Sequence, residues 1–347
     1  MKEILMCVSV ALPKRTLLSL IVLVTGCAGT GTPARGAAEQ PLVLTQEIPV
    51  PQITGGTNHL AIDAKHGRVF VTAPGDKLVV VADLESGKVV RALKTPGAAA
   101  AAFAPDLNRL CVSGGGAVTV YDGDSFAELG TVEPGHSLDE LCYDPAEHRL
   151  YAGVMDADAA GIAIIDLPNR KLLGQVKLPA KPQGFVIEQD GSRIFANTPM
   201  AGQVAVVDRK AQKVVASWRL ADAKGNYPIA LDEAHKRLFV GCRKPSKLLV
   251  LDTDTGKVVA SAPTAEDADD MSFDPQTRRA YLACGDGVVS VVEEEDPDHY
   301  RALPNVRTVE GARNSMFFPE RKVLVVAVPK RGSREANIQV FSAQPRQ

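Results

Sequence analysis

Cysteine is scarce in this chain, six in 347 residues, and no two of the six form a CxxC pair or stand at a Cys/His metal-site spacing. That removes the motif basis for a thiolate metal site and, with no CxxCH, for covalently attached haem. Charge of one sign is missing too. Lys and Arg number 39 against 41 Asp and Glu, a formal net charge of −2, which offers no general attraction to nucleic acid or anionic lipid. The apolar run Leu17–Val24 falls short of the ~20 residues that a membrane-spanning helix needs. No nucleophile-elbow motif occurs, and the repeated part of the chain carries no convincing helical period.

What is present begins with a leader. Lys14 and Arg15 precede the apolar run, which ends in Val24-Thr25-Gly26-Cys27. Basic, apolar and small residues in that order make an export signal over residues 1–27. The VTGC ending resembles the bacterial lipobox, and the resemblance implies that Cys27 is the lipidated first residue of the mature chain. Residues 28–41, rich in Gly, Ala, Thr and Pro, read as a flexible tether. Removing residues 1–27 takes away Lys2, Lys14, Arg15 and Glu3 and moves the formal charge from −2 to −4. Four cysteines remain, Cys111, Cys142, Cys242 and Cys284, each inside an apolar stretch. They are expected as buried free thiols.

Internal repetition is the strongest signal. An apolar stretch ends in an acidic or Pro turn, followed by a basic residue and a second apolar stretch: LAIDAKHGRVFV from Leu60, LCYDPAEHRLYA from Leu141, IALDEAHKRLFV from Ile229. The basic residues are Arg68, Arg109, Arg149, Arg193, Arg237, Arg279 and Lys322, spaced by 41, 40, 44, 44, 42 and 43. Each copy continues in the same way, with a third apolar stretch ending in Asp and a fourth after a turn, which makes four short strands joined as hairpins. The second strand is apolar on both sides: Phe70, Tyr151, Phe195 and Phe239 on one, Val71, Ala152, Ala196 and Val240 on the other. A small sheet apolar on both faces must sit between copies of itself, and radial stacking achieves this. The chain is therefore expected to be all-β, a seven-bladed β-propeller of four-stranded antiparallel blades over residues 42–347. The seventh copy lacks a fourth strand. Leu42–Val50 belongs to no copy and is expected to fill that place, closing the ring.

These repeats, seen best in KLVVVADLESGKVV from Lys77 and KLLVLDTDTGKVV from Lys247, resemble the YVTN-type propeller family of exported bacterial proteins. The literal YVTN string is absent; RVFVTAP from Arg68 comes nearest. The resemblance implies fold rather than activity.

In a propeller the loop before each innermost strand lines the channel mouth. Reading that loop in each copy gives a polar rim of Asn58, His59, Asp139, Glu140, Gln183, Tyr227, Asp269, Asp270, Arg313 and Asn314, with His136 nearby. Blade two, with Ala98–Ala102, is a smooth exception that leaves one side open. Turn chemistry explains single Asn and Asp residues here equally well; the ring of them is what suggests a ligand site. Asp139, Asp269, Asn58 and Asn314 offer the oxygen ligands that suit Ca²⁺. Blades three and six stand nearly opposite, however, so no metal or other cofactor is assigned. His66, His148 and His235 share the turn between the first two strands and read as turn chemistry. His136, Ser137 and Asp139 hold triad residue types without a triad motif.

The leading functional expectation is a lipid-anchored, exported, monomeric module. It would sit in the periplasm or on the cell surface and bind an unidentified protein or small molecule at the channel mouth, without nucleic acid. The alternative is a lactonase-like hydrolase, for which the rim offers His59, Glu140 and Arg313. A haem or quinone redox protein finds the least support.

Overall fold

The computed structural model describes residues 40–346. The export signal, Cys27 and all but the last two residues of the tether lie outside the described residues. Within them the chain is all-β, and its strands form seven antiparallel sheets. The four strands of blade one are Leu60–Asp63, Arg68–Ala73, Leu78–Asp83 and Lys88–Lys94, from the channel outwards. Blades two to six repeat that order, and the innermost strands of neighbouring blades touch in a closed circuit.

Blade seven is completed from the other end of the chain. Leu42–Pro49 pairs antiparallel with Asn337–Ala343, so the order across that sheet is the first strand, then the three last. Ile48 is fully buried in this pairing. The expected closure is present.

The repeated basic residue now has a partner. In six blades it faces an acid of the third strand across the ladder, at that strand's end in the first five: Arg68 with Asp83, Arg109 with Asp122, Arg149 with Asp166, then Arg193 with Asp208, Arg237 with Asp252, Arg279 with Glu293. Opposite charges directly across a pair fix register. Second strands bury both faces, as Phe70, Val71, Tyr151 and Ala152 show. Among the described residues seven apolar clusters form, one in each gap between neighbouring blades. The cluster joining blades seven and one contains Ile48 and Val50 beside Val71 and Val325. Fourth strands alternate instead, as in Lys213–Arg219, because one face meets water.

Every fourth-strand pairing contains a register shift, for example between Val81 and Ala82 and between Val206 and Val207. Such bulges raise local twist, which a blade needs to run from channel to rim. Blade six departs from four strands: Val306–Arg307 adds a short fifth piece beside Val288–Asp296. Cys111, Cys142, Cys242 and Cys284 are free thiols as expected, but only three of them are buried: Cys142 is half-buried.

Candidate functional site

Innermost strands approach the axis closely, so small differences in their backbones decide what reaches the mouth. Three of them are irregular there. Blade three shifts register between Asp139 and Leu141, blade five between Asn226 and Ile229, and blade six between Ala268 and Asp270. Each bulge turns an extra residue out of the ladder: Glu140, Tyr227 with Pro228, and Asp269. Glu140 and nearby Asp267 both take left-handed backbone, at φ 48° and 54°, a conformation that costs a non-glycine residue free energy.

His59, from the loop entering blade one, stands at the centre. Its Nε2 lies 3.4 Å from Asp139 Oδ1 and 3.7 Å from Glu140 Oε2, and its Nδ1 lies 3.2 Å from Asp270 Oδ1. One imidazole thus touches carboxylates of blades three and six. This corrects the expectation that opposite blades are too far apart to share a partner: the bulges carry both acids inwards across a narrow channel.

The support around this cluster is local and specific. Asn58 donates to the Ala99 carbonyl at 2.8 Å and to Asp139 at 3.4 Å, spanning three blades. The backbone N–H of Ser315 donates to Asp270 at 3.0 Å, and Asn314 Nδ2 lies 3.4 Å from the same carboxylate. The four residues with Ca²⁺-like oxygens do not converge. Asn58 sits on Asp139, Asn314 backs Asp270, and Asp269 turns to Arg243 and Arg313.

Two cavities meet at this point. The outer recess, of about 330 Å³, is lined by Asn58, His59, Asp139, Glu140, Tyr227 and Arg243 among others. Below it the channel shaft, of about 230 Å³, is walled by Leu60, Ala101, Phe185, Ile229, Met271 and Met316. His59, Glu140, Gln183 and Asp269 line both. Blade two contributes only Ala101. A Cβ on Gly97 would meet the Gly114 backbone at 2.7 Å, so these loops close on each other instead of leaving the open side expected there.

Arg243 and Asp267 were not among the rim residues read from the repeats. Arg243 lies flat over the Tyr227 ring, 3.8 Å from its centroid, and pairs with Asp269 and Asp267. Arg313 Nη1 is 3.1 Å from Asp267 and its Nε 3.2 Å from Asp269. Arg243 ends a second strand, and that strand's end returns to the same mouth as the loops that were read. The signal was available: Arg243-Lys244 stands where other copies end in small or apolar residues. His136 is not brought to the rim cluster. Its Nδ1 lies 3.0 Å from Asp156, away from both cavities, so the triad residue types are not assembled.

Burial alone would depress the His59 pKa, but Glu140, Asp270 and Asp139 outweigh it and hold the ring protonated well above its ordinary range. Burial, opposed by His59 and reinforced by the neighbouring acids, raises Glu140 to about 7. Asp269 is raised by burial and by Asp270, against the pull of Arg313 and Arg243. A carboxyl that titrates near neutrality beside a protonated imidazole can give or take a proton, or pair with a cation.

On the opposite face, His66 and His235 bond back to the aspartates that begin their turns, Asp63 at 2.7 Å and Asp232 at 2.6 Å. His148 differs, reaching Asp106 of blade two at 2.7 Å, because it occupies the next turn position, at φ 52°.

No family model matches the chain. It is similar to the uncharacterized protein YncE of Salmonella typhimurium, 26% identical over 202 residues, 56% of this chain and 55% of that one. It is also similar to YncE of Escherichia coli strain K12, 27% identical over 131 residues, 37% of this chain and 36% of the other. The chain spans about half the length, or less, of these curated relatives. Among solved structures, a chain of a mitotic checkpoint complex aligns with TM-score 0.75 at 16% identity, covering 94% of this chain and 98% of that one. A chain of Kuenenia stuttgartiensis hydrazine synthase aligns with TM-score 0.69 at 17% identity, covering 79% and 92%. Identities this low show the propeller fold alone.

Proposed function

We propose that this chain is an exported propeller of the YVTN-repeat kind, held to a membrane by a lipid on Cys27 and the tether of residues 28–41. It binds a small, positively charged ligand at its channel mouth. The observation that carries this reading is the convergence of Asp139, Glu140 and Asp270 on one partly buried point, occupied by His59. Arg243 and Arg313 are already engaged by Asp267 and Asp269. Among the described residues, the cation in direct contact with these three acids is therefore the titratable one, His59. A ligand ammonium that joins them lets His59 release its proton, and the apolar shaft beneath accepts a short hydrocarbon tail. Calorimetry and thermal shift with small amines, and with carboxylates of matching size, test this. Amines should bind and raise the unfolding midpoint, and Asp270→Asn should weaken them at least tenfold. Equal binding by carboxylates, or no binding of amines, overturns it.

A second reading, a lactonase-like hydrolase, is favoured by Glu140, whose pKa near 7 and left-handed backbone are what an acid–base residue shows. In that reading His59 acts as the proton donor and Glu140 as the base. Absence of turnover on a panel of small lactones eliminates it.

A further inference from the structure

The third strand of each blade is followed by a residue that tucks under its own blade's first turn and packs against the preceding blade. In blades one, two, three, four, five and six its backbone N–H donates to the turn: Leu84 to Gly67, Gly123 to Asn108, Leu167 to His148, Arg209 to Ser192, Thr253 to Lys236 and Glu294 to Arg278. Leu84 and Leu167 fill this slot with hydrocarbon, in the clusters between blades seven and one and between two and three. Arg209 fills it with a cation that pairs with buried Asp144 of blade three. Glu294 breaks the pattern. It faces Asp232 of blade five, so two carboxylates, 1% and 3% exposed, meet in one slot.

Two buried carboxylates in contact require a cation or a shared proton. His235 completes the group: its Nδ1 is 2.6 Å from Asp232 Oδ2 and 3.4 Å from Glu294 Oε1. One ligand atom from each of the three residues falls within 4.8 Å of the others. Glu294 Oε1 also holds Arg278, while its buried Oε2 has no hydrogen-bond partner. An unpaired oxygen of this kind, in a side chain almost wholly buried, is costly unless something binds it. The group is open to solvent on one side, where His235 is 40% exposed.

We infer that Asp232, His235 and Glu294 form a site for a divalent transition cation of the Zn²⁺ class, between blades five and six on the face opposite the channel mouth. One imidazole nitrogen and two carboxylate oxygens are ligands that such ions accept at about 2.0–2.2 Å, with water in the open fourth position. Arg278 then acts as the outer partner that orients the Glu294 carboxylate. Entry of the ion opens the 2.6 Å contact of His235 with Asp232 toward the wider separation of two tetrahedral ligands. The slot links residues of adjacent blades, so occupancy should also tie those blades together.

The test uses untagged protein stripped with chelator and titrated calorimetrically with ZnCl₂, with Co²⁺ absorption as a second readout. The expected result is one saturable site, a raised unfolding midpoint with Zn²⁺, and visible Co²⁺ bands of low-coordinate type. His235→Ala should weaken Zn²⁺ at least tenfold. Glu294→Gln should weaken it similarly. Retention of wild-type affinity in both variants, or no saturable binding by the wild type, overturns the site. His59→Ala is the control for the channel mouth: loss of Zn²⁺ there, with His235→Ala unaffected, overturns the assignment as well.

Discussion

Replacing Glu140 by Gln removes the carboxyl that sits among Asp139, Asp269, Asp270 and His59, and it should stabilise the protein above neutrality. In the folded chain this acid holds its proton up to a pKa of about 7, against an ordinary 4.5. The unfolded chain therefore releases that proton first. Folded stability falls as pH rises from about 4.5, levels off above about 7, and is fully retained below that window. Taken at face value the displacement is worth about 3 kcal/mol. The side chain is 27% exposed, and allowing for solvent screening leaves about 1–2 kcal/mol. The variant cannot ionise, so the gap between it and the wild type should open across this window. Chemical denaturation of both proteins at half-unit steps from pH 4.5 to 8.5 measures that gap directly. Thermal scans should show the variant about 2–4 °C higher at pH 8 and level with the wild type at pH 4.5. The His59 ring, followed by NMR, should titrate at lower pH in the variant, since Glu140 is the largest of its charge partners. Equal stability at pH 8, or a variant that is worse there, refutes the reading of Glu140 as a strained, proton-hungry acid.

Ile48→Ala should cost about 2–5 kcal/mol in urea unfolding, because Ile48 is fully buried where the first strand joins blade seven; a cost under 1 kcal/mol would mean the strand is dispensable. Arg209→Leu strands buried Asp144 and should cost about 3–5 kcal/mol, most of it recovered when Asp144→Asn is added. The three buried thiols should resist a water-soluble maleimide at pH 8 until denaturant is added, since burial pushes Cys111 and Cys242 up to about 12 and Cys284 to about 11. Rapid labelling of these three in the native protein would contradict the packing described for them.

The architecture was legible in the sequence because its causes are local and repeated. Burial of both faces leaves apolar residues along the middle of the second strand, and the Arg and its facing acid sit about 13–17 residues apart in copy after copy. Closure was legible by default: one strand was missing and one was spare. The mouth was legible in its residue types only. Nothing in the local pattern says that the strands carrying Glu140 and Asp269 bulge, and without the bulges Asp139 and Asp270 look too distant to share His59. Arg243 reaches the mouth from near the end of a second strand, outside the loops that precede the innermost strands. The Asp232–Glu294 contact was hidden for another reason. It joins residues of different blades, so neither sequence neighbourhood contains the other half.

The shared blade at the two ends of the chain has a consequence for the order of events in making this protein. The strand Leu42–Pro49 is synthesised before every blade and finds its partner in Asn337–Ala343, made only after the first six blades. Until then its apolar residues and open edge must wait unpaired, while six blades assemble between them. Closing so long a loop adds little to the equilibrium cost but much to the delay. A chain stalled or cut before residue 337 is left with an unshut ring and two exposed edges, the kind of species that aggregates.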